Sequence, residues 1–150
     1  LLIPKDAKYD RHITKYPLEE LVSNLSRLSV LGSINTITLF LDITYLNYED
    51  SAELMWDFPD LPDKICILSA SSNGETSQIY EDKKHSFFTY TLLKGLAGAA
   101  DDGNSFIDLG EITEYVYKTV PSVLRKQPGT IMQNPKFNGM DLKRIVLDLR

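Results

Sequence analysis

From Leu18 onward, apolar residues recur at helical spacing. Leu18, Leu21, Val22, Leu25 and Leu28 stand at i, i+3, i+4, i+7 and i+10, which is one face of a 3.6-residue period. Pro17 suits the first turn of such a helix and Gly32 suits its exit. The pattern then changes. TITLFLDI (36–43) is β-branched and apolar on both faces, and KICILSA (64–70) repeats that character, as expected of strands covered on two sides. Leu1–Pro4 reads as a strand end, DSAELMW (50–56) as one or two helical turns, and SSNGETS (71–77) as turn chemistry.

Helical spacing returns in HSFFTYTLLKGLAG (85–98), with Phe88, Thr91, Leu92 and Leu96 on one face and Gly98 near the end. After a DDGN turn (101–104), Asp108 and Glu111 stand three apart as a capping box. Leu109, Ile112, Tyr115, Val116 and Val120 then line a helix expected to end near Pro121, and RIVLDL (144–149) closes the chain as a strand. Strands alternating with helices predict an α/β layered fold with a mostly parallel sheet flanked by helices, in one domain over 1–150.

Composition narrows the function classes. The chain has 150 residues, 43% of them hydrophobic, and a net charge of −5 from 16 Lys+Arg and 21 Asp+Glu. An acidic balance argues against a dedicated nucleic-acid binder and against a polybasic membrane anchor. The apolar runs are strand-sized, too short to span a bilayer as a helix. One cysteine, Cys66, excludes an internal disulfide and a multi-cysteine metal site, and fits a reduced cytoplasmic setting. His12 and His85 lack metal-ligand spacing, so neither a metal nor a cofactor is expected. ADDGNSFIDLGE (100–111) fails as a calcium loop, because Ala100 would be the first ligand and Ser105 would take the glycine position. Asn24-Leu25-Ser26 matches a glycosylation sequon within a helix, and Tyr115 and Tyr117 read as packing residues.

Candidate chemistry sits where strands end, because open α/β sheets bind ligands beyond the carboxyl ends of their strands. The first long strand delivers Asp42, Thr44 and Tyr45; the second delivers Ser69, Ala70, Ser71 and Ser72. If the two are neighbours, a hydroxyl-rich rim forms with a carboxylate beside it. P-loop, dinucleotide, zincin and nucleophile-elbow motifs are all missing.

The ordered fragments ILSASSNGETSQ (67–78), HSFFTYTLLKGLAGAADD (85–102), FIDLGEITEYVYKTV (106–120) and QNPKFNG (133–139) resemble bacterial members of the caspase-like cysteine peptidase family, which includes caspases and metacaspases. LLIPKDA (1–7) and LEELVSNLSRL (18–28) resemble the segments just after that family's catalytic histidine. The resemblance implies that the chain starts within the family domain, after its N-terminal strands and His-Gly motif. It also places the nucleophile motif, Asp-x-Cys-x-Ser-Gly, on Asp42-Ile43-Thr44-Tyr45-Leu46-Asn47, with Thr44 at the cysteine position. A Thr hydroxyl without a positioned base is a poor nucleophile, and Cys66 lies inside the next strand. The expected function is a catalytically inactive caspase-like domain that binds peptide or protein. Ser69, Ala70, Ser71, Ser72 and Ser77 are its substrate-groove candidates. An active hydrolase using Thr44, Ser71 or Ser72 with a histidine supplied from upstream, and a purely structural α/β module, are the alternatives. By the same resemblance, 144–149 could pair two copies as a homodimer.

Overall fold

Five residues in a row at Ile65–Ser69 alternate no polarity at all, and they form a strand buried along its full length. The computed structural model describes residues 18–30, 34–43, 61–72 and 74–150. In chain order the elements are α1 (Leu18–Val30), β1 (Ile37–Leu41), β2 (Ile65–Ser69), β3 (Ile79–Tyr80), β4 (His85–Ser86), α2 (Phe87–Lys94), β5 (Phe106–Asp108), α3 (Leu109–Leu124), β6 (Lys136–Asn138) and β7 (Ile145–Asp148). The expectations for Leu1–Pro4, His12, Pro17, Gly32, Thr44, Tyr45, Leu46, Asn47 and segment 50–56 lie outside the described residues.

The chain divides into two compact units, Leu1–Ile37 and Thr38–Arg150. In the first, α1 forms where the period placed it; of the expected apolar face Val22 is buried, Leu21 and Leu25 are half-buried and Leu28 is exposed, and Ser26 returns its hydroxyl to the Val22 carbonyl at 2.7 Å.

The second unit is mixed α/β. Its sheets are small: β1-β2-β6, β3-β4 and β5-β7. β1 and β2 are neighbours, which meets the condition set for a rim at their carboxyl ends. The mostly parallel arrangement is not what the described registers show, since β2–β6, β3–β4 and β5–β7 are all antiparallel. Their short strands come from 79–80, 85–86, 106–108 and 136–138, segments of two or three residues in which a two-residue period cannot declare itself.

The core gathers Cys66, Leu68 and Ala70 of the β2 segment, Phe87, Phe88 and Leu92 of α2, and Leu109, Ile112, Val116, Val120 and Leu124 of α3. Gly95 lets α2 and α3 approach closely, because a Cβ there would collide with the Ile112 side chain and touch the Tyr115 ring. The chain widens into a π-type turn over Gly95–Ala99, where Gly98 takes φ 106°. Two helix ends differ from the sequence expectation. α2 starts at Phe87 with Ser86 as its N-cap, whose hydroxyl accepts from Thr89 N at 2.8 Å; His85 belongs to the strand before it. α3 runs through Pro121 to Leu124, because Val120 and Leu124 are both buried and hold the last turn against the core. The Asp108–Glu111 capping box forms as its spacing predicts. Among the described residues no helix is long and apolar enough to cross a membrane.

Candidate functional site

Asp42 follows the last residue of β1 and is exposed. Its carboxylate accepts three hydroxyl protons: Ser77 Oγ to Oδ1 at 2.6 Å, and Ser86 Oγ and Thr89 Oγ1 to Oδ2 at 2.5 Å each. These lengths are those of charge-assisted O–H···O⁻ bonds. The donors arrive by local folding. The β3–β4 hairpin pairs Ile79 with Ser86, which brings Ser77, just before β3, alongside Ser86. Helix α2 then puts Thr89 one turn beyond its own cap. A 3₁₀ turn at Glu81–Lys83, closed by Lys84 in the left-handed region (φ 55°), makes the hairpin reversal.

Beside this cluster a second network fastens the loop after β2. The Glu75 carboxylate accepts from Ser72 N at 3.2 Å, Asn134 N at 2.6 Å and Asn134 Nδ2 at 2.5 Å. Gln133, fully buried, accepts from Gln78 N and donates to the Ala70 carbonyl, both at 2.8 Å. Loop 70–78 is therefore stapled to loop 133–134 at both ends.

The predicted hydroxyl rim is divided by this arrangement. Ser69, Ala70 and Ser71 are at most 1% exposed, so their side chains belong to the core. Ser69 donates to the carbonyls of Ser71 (3.2 Å) and Lys136 (3.1 Å), and Ser71 to those of Ile43 (3.5 Å) and Glu75 (3.3 Å). Ser72 donates to the Asn134 carbonyl at 2.9 Å. Of the described candidates, only Ser77 reaches the Asp42 carboxylate. Cys66 is fully buried; its Sγ would lie 2.7 Å from a Cβ at Gly139, so the thiol is packed against that glycine's backbone. Sequence reasoning missed Ser86 and Thr89. The signal was present in Ser86-Phe87-Phe88-Thr89, a cap residue and the position three beyond it, but a helix drawn from His85 hides it.

A third polar region lies on the exposed face of α3. A cleft of about 670 Å³ is lined by Asp102, Glu111, Glu114, Tyr117, Lys118 and Lys143, among others, and shares no residue with the Asp42 cluster. Lys118 pairs with Glu114, whose carboxyl it holds below the usual range, and Lys143 pairs with Asp108 at 3.2 Å. Burial pushes the Tyr117 phenol above its usual range, against the Phe137 N–H that it accepts at 2.6 Å and the nearby charge of Lys136. Asp101, Asp102 and Glu111 bring carboxylate oxygens within 4.8 Å of one another. Those of Asp101 and Glu111 are turned inward: Asp101 accepts from the amides of Gly103, Asn104 and Ser105, and Glu111 from those of Asp102 and Asp108. They hold the DDGN turn and the capped helix start that the sequence predicted there in place of a calcium loop. Segment 144–149, expected to meet a second copy, supplies β7, which pairs with β5 and leaves Ile145, Leu147 and Leu149 exposed.

No family model, curated protein or solved structure matches the chain.

Proposed function

We propose that the chain is a caspase-like domain that binds peptide and does not cleave it, with Asp42 as the anchor for a basic side chain. The observation that carries this reading is the exposed Asp42 carboxylate, fixed by three hydroxyls where β1 ends. A carboxylate held in place by its neighbours costs little further ordering when an arginine or lysine arrives, so its attraction is retained as affinity. The ordered family-like fragments, and the adjacency of β1 and β2, support the scaffold. Two facts support silence. Cys66 is sealed inside β2, and the Ser71 and Ser72 hydroxyls spend their protons on backbone carbonyls, whereas a serine nucleophile needs a general base on that proton.

The test uses fluorescence anisotropy with an arginine flanked by alanines in a labelled peptide. Asp42→Asn should weaken binding roughly tenfold, the scale of one charged contact. A parallel cleavage screen should register no turnover. Turnover that Thr44→Ala abolishes would overturn the silent reading, and binding indifferent to Asp42→Asn would remove the anchor.

A further inference from the structure

We propose that the surface next to Asp42 takes a second, acidic group of the same bound segment, through Lys83, Lys94 and the Tyr90 ring. The preferred partner is then a peptide in which a basic residue and acidic residues lie close together. This rests on the reading of Asp42 as a basic-residue anchor and names the partner chemistry of that site.

Lys83 ends the 3₁₀ turn and Lys94 ends α2, yet both ammoniums come to one ring. Lys83 Nζ is 5.7 Å and Lys94 Nζ 5.8 Å from the centroid of Tyr90. The ring is braced: Tyr80 meets it edge-on at 5.4 Å and itself stacks on Phe87 at 4.5 Å. Neither lysine has a carboxylate partner among the described residues, although the chain as a whole carries −5. An aromatic face attracts an ammonium without neutralising it. Both lysines are therefore exposed ammoniums that share one ring and bond to no described carboxylate, although Glu81 and Asp82 precede Lys83 in its turn.

The two sites are linked through α2. Thr89 donates to Asp42 at the end of β1, and the next residue, Tyr90, is the ring that Lys83 and Lys94 approach. A fixed negative group and two exposed ammoniums thus border on one short helix. That alternation suits a peptide of mixed charge. It suits a nucleic acid poorly, since a polyphosphate would meet the Asp42 carboxylate and a net acidic protein.

Three labelled probes separate the outcomes: the arginine–alanine peptide, the same peptide with a glutamate pair placed before or after the arginine, and an oligothymidylate. On the wild-type chain at low salt, one of the glutamate peptides should bind about tenfold tighter than the parent, the gain of two exposed ion pairs. Lys83→Ser with Lys94→Ser should erase that gain and leave the parent peptide's affinity unchanged, and 0.5 M salt should erase it too. Thermal melts check that the doubly substituted chain folds. Equal affinities on wild type, or a gain that survives the lysine substitutions, would overturn this inference while Asp42 stood. No binding of the parent peptide would overturn the anchor and this inference together. An oligothymidylate that bound as tightly as the glutamate peptide, and lost affinity in the lysine variant, would assign the face to nucleic acid and overturn the proposal.

Discussion

Gln133 has no exposed surface, and its amide is divided between two strangers in sequence. Its acceptor takes the amide of Gln78 and its donor reaches the carbonyl of Ala70, 55 and 63 positions away. Nothing in a polar loop reading QNP announces this, because its partners are non-local and a single glutamine sets no period. Asp42, in contrast, was legible as the carboxylate ending a strand and Ser77 as a hydroxyl near it, while its other two donors, Ser86 and Thr89, were not. Removing the side chain in Gln133→Ala strands both backbone groups away from water. At about 1–3 kcal/mol for each unsatisfied group, a loss of roughly 3 kcal/mol in urea denaturation is expected. Tyr117 gives a pH-dependent case. Its phenol is raised by burial, so the folded chain favours the neutral form. The resulting stability is full below the unfolded phenol's value near 10. It is lost as the pH climbs from there through the folded value, because only the unfolded chain ionises freely. Tyr117→Phe should flatten this alkaline decline in pH-dependent melts, and should also lower stability at neutral pH by freeing the Phe137 amide.

Elements were readable in proportion to their length. α1, the centre of α2 and α3 carry enough turns for apolar spacing to show, and β1 and β2 are long enough to show as apolar runs. β3 to β6 are two or three residues each, and only their partners define them. Helix ends followed a different rule. The Asp108–Glu111 box was visible because both members are local; the stop at Pro121 was misjudged because packing outweighed the lost hydrogen bond. Pro121 denies the Tyr117 carbonyl its donor and crowds the preceding turn, yet Val120 and Leu124 on either side are at most 1% exposed. The tension is measurable. Pro121→Ala should restore the bond and raise stability by about 1–3 kcal/mol in urea titration, the interior cost of proline less its restriction of the unfolded chain. An unchanged or lower midpoint would mean that the last turn is held by something other than helical bonding.

At the scale of the molecule, the central fact is the position of β2. It lies between β1 and β6 and is buried from Ile65 to Ser69, so the chain's one thiol sits in the middle of the sheet. Gly139 matters for the same reason. Its backbone (φ 146°) passes so close to Cys66 that an added Cβ would lie 2.7 Å from Sγ and 3.1 Å from Cα. Opening that contact requires β6 to leave β2, and the Gln133 staple and the Tyr117–Phe137 bond stand just before and within β6 against such a departure. Cys66 should therefore react with a thiol reagent only through unfolding. In native buffer its labelling should be slower than that of a free cysteine by a factor that tracks the unfolding equilibrium constant, on the order of 10³ or more for a stable domain. Gly139→Ala should accelerate labelling and lower the urea midpoint together, since strain in a packed interior costs about 1–3 kcal/mol or more. Labelling at the free-thiol rate in the folded chain would place a reactive sulfur within reach of solvent. The peptide-binding reading without cleavage would then lose one of its two supports.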